Sequence, residues 1–113
     1  MGFPHQDLGA LIKALPEASG FNVSENWPSS IAAPAVNVRV VRRTYVPVCR
    51  AEWEMEVDVV IPLTGNQNLV HTLTEAIATA KLPTFLVGDT VYRQGSIGGA
   101  DYLFAVTTVR HTR

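Results

Sequence analysis

Four acidic side chains alternate with apolar ones near the middle of the chain and form its largest concentration of charge. They are Glu52, Glu54, Glu56 and Asp58. Paired carboxylates can bind divalent cations or act as general acid and general base. On an extended strand, however, alternate residues lie about 7 Å apart along one face and form no pocket. The pattern therefore favours a solvated or ion-paired strand face over a metal site or a catalytic site.

The other residue types that carry chemistry lack the spacing that their chemistry needs. The three histidines have no metal-ligand spacing, and Cys49 has Arg50 beside it but no histidine close in sequence. The glycine-rich segment 95–99 lacks the Lys-Ser/Thr ending of a phosphate-binding loop and is typical of a flexible hairpin loop. We therefore expect no catalytic residue, no metal ligand and no cofactor, and we expect that the protein is not an enzyme.

The composition indicates one domain with an unusually uncharged surface. The 113 residues fit a single domain spanning 1–113. Charged residues make up 17% of the chain, below the typical ~25%, whereas the apolar share of 47% is ordinary. An ordinary core with few surface charges suggests that other subunits cover part of the surface.

Charge and hydropathy also limit the partners that we expect. The net charge of −1 provides no basic field to hold nucleic acid by counterion release. The single cysteine fits a reducing compartment. The N-terminus lacks the features of a signal peptide, and no apolar run is long enough to cross a bilayer. We expect a protein made in the cytoplasm and kept in an aqueous interior until it assembles, without membrane contact.

Hydrophobic spacing predicts the elements that position these residues. A period of 3.6 predicts helices over 7–15 and 66–81, and alternation predicts strands over 35–46, 51–61, 84–92 and 101–110. The last strand is apolar on both faces, which indicates a strand covered on both sides. The predicted fold is α+β, with a mixed or antiparallel four-stranded sheet that contains a long β-hairpin. Two helices pack on it, in the order α-β-β-α-β-β.

The first two strands pair as a hairpin whose register is limited by parity. Directly opposed residues share a face, and apolar residues fall on even numbers in the first strand and odd numbers in the second. The numbers of two paired residues must therefore sum to an odd value. Of the registers that meet this condition, we considered two, which place Arg39 opposite Asp58 or opposite Glu56. Arg43 falls opposite an acidic residue in both. The sequence therefore predicts Arg–carboxylate pairs on the polar face.

Exposed arginines and one tryptophan are the candidates for an interface. The candidate set is Trp27, Arg39, Arg42, Arg43 and Arg50. Arginine and tryptophan are common anchors at protein interfaces. Parity places Arg42 on the apolar face near the hairpin tip, where it lies either beyond the core or on an arm that contacts another subunit.

The order of these segments resembles the tail terminator proteins of long-tailed, non-contractile (siphovirus) bacteriophages. A short Leu-rich helix over 8–15 is followed by a Trp/Pro loop that leads into PAVNV at 34–38. The hairpin's second strand begins with CRAEWE at 49–54, and the closing strand contains YLFAV at 102–106. The resemblance covers almost the whole chain and lies in element order, without a diagnostic motif.

The resemblance implies a structural virion protein. Such proteins form a hexameric ring that caps the growing tail tube and docks to the head–tail connector protein, with DNA passing through the lumen. They carry no catalytic residues. We therefore expect a homo-oligomer located at the head–tail interface of the virion, in contact with the tail tube protein. We expect the acidic row of residues 52, 54, 56 and 58 to face the lumen and to keep DNA from sticking.

Three alternatives remain open from the sequence. One is another head–tail joining protein or a minor tail protein, which would use the same kind of surface with different partners. A second is a small α+β enzyme or ligand-binding domain with a pocket between sheet and helices. The third is a small intracellular regulatory dimer.

Overall fold

The structure is a computed structural model that describes residues 3–25, 34–46, 50–80, 82 and 84–112. Its elements, in chain order, are helix α1 (Pro4–Lys13), a 3₁₀ turn (Pro16–Ala18), strands β1 (Asn22–Ser24), β2 (Ala35–Val46) and β3 (Arg50–Pro62), helix α2 (Gln67–Thr79), and strands β4 (Phe85–Ile97) and β5 (Ala100–Thr112). Within the described ranges, no helix is long and apolar enough to cross a membrane.

The strands form one mixed sheet in the order β1-β2-β3-β5-β4. The short strand β1 runs parallel to β2, and every other neighbouring pair is antiparallel. The α+β class and the two helices are confirmed, but the sheet has five strands, not four. The difference is the three-residue strand β1, which pairs with Ala35–Asn37. Its partners lie farther along the chain, so no local pattern in the sequence reveals the pairing.

Both helices begin at residues that satisfy their free backbone donors. Helix α1 starts at Pro4, earlier than predicted, because proline suits the first helical position and the Phe3 backbone N–H donates to Gln6 Oε1 at 2.9 Å. In α2 the Asn66 side chain accepts from the Asn68 backbone N–H at 3.0 Å. These contacts fix the residue at which each helix begins.

The main core lies between the two helices and one face of the sheet. The fully buried side chains that fill it include Leu8, Ile12, Val36, Val38, Met55, Val57, Val59, Val70, Leu73, Ile77 and Val109. The odd-numbered apolar residues of β3 all belong to it, as the alternation predicted. Leu69 does not, because α2 turns it outward and leaves it 50% exposed.

Strand β4 is longer than predicted and ends in a two-residue turn. The sequence indicated a mobile loop from Gly95 onward, but Gly95-Ser96-Ile97 continue the strand. The turn consists of Gly98 and Gly99, with φ angles of 61° and 82°. Positive φ at both central residues is the requirement of the tight hairpin turn that matches strand twist. The glycine cluster is therefore a hairpin turn and part of a strand.

Replacing one buried leucine of α2 tests the position of the core. Leu73→Ala should lower the free energy of unfolding by about 2–5 kcal/mol, because it leaves a cavity against the sheet. The matched control is Leu69→Ala on the outer side of the same helix, which should change it by about 0.5 kcal/mol or less. Chemical denaturation of the three proteins measures both values. Equal losses for the two variants would show that the helix packs by a different face.

Candidate functional site

One face of the sheet receives no helix from the described part of the chain. We call this surface the open face and define it by the side chains that point away from the helices. On β2 and β3 these are Asn37, Arg39, Arg42, Glu52, Glu54, Glu56, Asp58 and Val60, and on β5 and β4 they are Phe104, Val106, Arg110, Leu86, Val91 and Arg93. All four predicted lumen carboxylates and two of the predicted interface arginines, Arg39 and Arg42, therefore lie on one surface.

An arginine that bridges two carboxylates lies at the centre of the open face. Arg39 is directly opposite Glu56 in the register, and its guanidinium hydrogen-bonds Glu56. Its Nε also donates to Asp58 Oδ2 at 3.2 Å. One of the two predicted registers is therefore confirmed along this part of the hairpin, and the single arginine contacts both acids that the two registers offered it.

Asp58 is the most enclosed charged group of this surface. Its side chain is 1% exposed, and its second oxygen, Oδ1, is buried without a hydrogen-bond partner. Burial raises the pKa of this carboxyl, and the charge and hydrogen bond of Arg39 oppose that rise. No sequence pattern indicates this difference among the four acids, because the side chains opposite Asp58 come from two other strands, β2 and β5.

A β-bulge between Val40 and Arg42 rearranges the hairpin tip. The extra residue, Val41, moves Arg42 onto the open face, where it binds Glu54 at 2.9 Å. The parity argument had placed Arg42 on the apolar face, and that prediction is wrong because the bulge shifts the register by one residue. Both side chains of this pair contact solvent, so the pair contributes little to stability.

The same bulge carries Arg43 to the opposite side of the sheet. Arg43 is opposite Trp53, and its guanidinium lies 4.3 Å from the Trp53 ring centroid and 4.5 Å from that of Tyr45. The predicted pairing of Arg43 with an acidic residue is therefore wrong. A cation over two aromatic rings is a stabilising arrangement that no pattern of charges in the sequence reveals.

The remaining predicted residues are placed less tightly. Arg50 and Glu52 are exposed at the start of β3, and Glu52 is opposite Thr44. Trp27 and Cys49 lie outside the described residues. Whether the four carboxylates face a lumen is a property of an assembly, so that assignment stays a prediction.

A small apolar cluster lies beside the charged network on the open face. Val60, Phe104 and Val106 are buried there, with Ile97 and Tyr102 packed against them. The sequence predicted an apolar second face for β5, but not that its side chains would cover one another without a second layer. Gly95 is part of this arrangement, because a Cβ on it would lie 3.0 Å from the Phe104 ring.

Sequence reasoning missed three partly buried polar contacts between residues far apart in the chain. Ser24 donates to Asn37 Oδ1 at 2.7 Å and joins β1 to β2, and the hydroxyls of Thr90 and Thr107 lie 2.7 Å apart. His111, which is 5% exposed, contacts the Thr84 carbonyl at 2.9 Å through Nδ1. These residues are far apart in sequence, and only their shared burial in the folded sheet identifies them.

One cavity of about 260 Å³ lies near the hairpin tip, and Arg42, Glu52, Glu54, Leu86 and Arg110 contribute to its lining. Two of these side chains, Arg42 and Glu54, are already paired with each other. No group of three or more metal-ligating side chains occurs among the described residues. No protein-family model matches the sequence, and no curated protein is significantly similar to it.

Removing Arg39 tests whether the network depends on it. Arg39→Met should lower the free energy of unfolding by about 1–3 kcal/mol, because it leaves the buried Asp58 carboxylate without its donor. The control, Arg42→Met, breaks the exposed pair with Glu54 and should cost about 0.2–1 kcal/mol. Denaturant unfolding at neutral pH measures both. The assignment fails if Arg42→Met costs as much as Arg39→Met.

The raised pKa of Asp58 predicts a pH dependence of stability. The folded protein keeps the Asp58 proton to a higher pH than the unfolded chain, whose carboxyl has the ordinary value of 3.8. The stabilisation due to this proton is therefore complete below that value and is lost as pH rises through the native pKa. Relative to Asp58→Asn, the wild type should lose stability over this interval. Parallel pH profiles of the two proteins' unfolding free energies would contradict the prediction.

Proposed function

We propose that this protein is a structural virion subunit, the tail terminator of a long-tailed, non-contractile bacteriophage. Copies of the chain form a ring, expected to be hexameric, that caps the tail tube and joins it to the head–tail connector. DNA passes through the lumen without specific contact. The protein acts by surface contacts and not by catalysis.

The observation that carries this proposal is a sheet whose one broad face and two edges are left uncovered by the described residues. The helices pack on the other side, and the described chain measures 48 × 27 × 24 Å, an elongated shape for its size. Among the described residues, seven large apolar side chains are strongly exposed, and five of them lie on β2 and β4. A chain that leaves such surfaces free has contact area to offer to other subunits.

The element order gives further support. A short helix, a long hairpin, a second helix and a closing hairpin follow one another in the structure, as in the family that the sequence resembles. Strands of 12 and 13 residues in both hairpins are longer than the usual five or six. Long hairpins reach beyond the helices and can contact neighbouring subunits.

The charges of the open face are compatible with a surface that DNA slides past. The arginines and the acidic side chains of the open face are equal in number, so the face has no net positive charge to hold phosphates by counterion release. In the proposed ring the acidic row of residues 52, 54, 56 and 58 faces the lumen together with these arginines. The pairing fixes the carboxylates in place and limits their affinity for cations.

A tube-length assay tests the terminator role. Purified protein is added to polymerising tail tube subunits, and tube lengths are measured by negative-stain electron microscopy over a range of molar ratios. A terminator should shorten the tubes as its concentration rises and should appear at one end of each tube. An equal mass of an unrelated globular protein serves as control.

Two outcomes would redirect the proposal. Unchanged tube lengths, with the protein bound to purified connector instead, would indicate another head–tail joining protein. Unchanged lengths without binding to tube or connector would reject a role in the virion joint.

A further inference from the structure

The two edges of the sheet are unequal, and neither is fully paired with strands from the described part of the chain. Strand β4 forms one edge over 13 residues and pairs only with β5. At the other edge, β1 pairs with the first three residues of β2 and with no more. No described strand therefore pairs with the outer side of β2 from Val38 to Val46. Each edge presents a row of backbone donors and acceptors that another strand can use.

Exposed apolar side chains are concentrated on these two edges. On β4, Leu86 is 74% exposed, Val91 61% and Tyr92 44%, and on β2, Tyr45 is 70% exposed and Val41 47%. An added strand places its own side chains beside those of the edge strand on both faces. Strand pairing at these edges would therefore cover apolar area in addition to satisfying backbone groups.

Strand β4 has few of the features that normally protect an edge. Its sequence contains no proline and no lysine, and its only charges are Asp89 and Arg93. One bulge, between Val87 and Thr90, interrupts the pairing with β5, and the strand is regular from there to Ile97. A long, regular and partly apolar edge is a site of strand association unless something covers it.

Charge disfavours one of the possible pairings between copies. Strand β2 carries Arg39, Arg42 and Arg43 and no acidic residue, so pairing of two β2 edges would bring like charges together. Pairing of two β4 edges would cover Leu86 and Val91 but would leave the exposed part of β2 uncovered in both copies. Pairing of β4 with β2 covers both edges with one type of contact.

We propose that the β4 edge of one copy pairs with the exposed part of the β2 edge of the next copy. The partner is thus a second copy of this chain, joined head to tail so that the sheet continues from subunit to subunit. A contact between two different surfaces closes into a ring or extends into a filament. The contact specifies how the proposed ring is built; it rests on self-association and does not require the terminator role.

Cysteine cross-linking tests the pairing directly. In a Cys49→Ser background, Val91→Cys on β4 is combined with Val41→Cys on β2, and a short bismaleimide reagent is added to concentrated protein. Within one chain the two strands are three strand spacings apart, about 14 Å, which favours links between copies. The double variant should give a ladder of covalent dimers, trimers and larger species, and each single variant should give no covalent dimers.

The control pair joins Val41→Cys to Leu69→Cys, which has similar exposure but lies on α2. An equally strong ladder from the control pair, or no ladder from the test pair, would overturn the proposal. Covalent dimers from Val91→Cys alone would overturn it in favour of symmetric β4 pairing.

A charge placed on the β4 edge provides an independent measurement. Val91→Lys should weaken self-association at least tenfold in sedimentation velocity, whereas Leu69→Lys should leave it unchanged, because both add the same charge to an exposed apolar site. Unfolding midpoints within error of the wild type show that both variants fold. Equal association of the two variants would reject the edge contact. Weaker association of Val91→Lys, together with a ladder from the test pair and none from the control pair, supports the edge contact even if tube lengths are unchanged.

Discussion

Helices on one side of a five-stranded sheet leave every second side chain of its strands without a covering layer from the described chain. The physical constraint is that each side chain on that side has to find its hydrogen-bond or packing partners within the sheet itself. The charged half of the open face meets it through Arg39, which binds Glu56 and the enclosed Asp58. The apolar half meets it through Phe104, which packs with Val60 and Val106 and lies over Gly95.

This division has a consequence for what the protein can do chemically. Each described ion pair of the open face joins a β2 arginine to a β3 carboxylate, so the charges of these pairs are neutralised within the sheet. Asp58 is the exception in one respect, because Oδ1 is buried and unpartnered and the pKa of the carboxyl is raised. Its charged neighbours are those of the paired network, and burial, opposed by Arg39, is the main reason that its pKa makes stability sensitive to pH.

Much of this arrangement follows from the alternation of side chains in β2 and β3. The period-two pattern over residues 51–61 predicts which side chains of β3 enter the core, and parity predicts that Arg39 meets an acid. Parity fails at the hairpin tip because a single bulged residue, Val41, exchanges the faces of every residue that follows. A bulge changes neither composition nor alternation enough to be detected, so the sequence misplaces Arg42 and Arg43.

Non-local contacts account for the other differences. Strand β1 depends on parallel pairing with residues farther along the chain, and Asp58 lies between side chains of β2 and β5, and neither arrangement leaves a periodic signal. In the sequence, the apolar residues of β4 are instead typical of an ordinary strand with one buried side. Only the strand order shows that β4 lies at an edge, and this is why some of its apolar side chains stay exposed and do not enter the core.

The central claim is that this chain works by closing on copies of itself. Native mass spectrometry of the purified protein across a hundredfold range of concentration measures this most directly. The account predicts one dominant closed oligomer of fixed stoichiometry, in equilibrium with monomer and without a continuous series of larger species. A protein that stays monomeric over the whole range would contradict it.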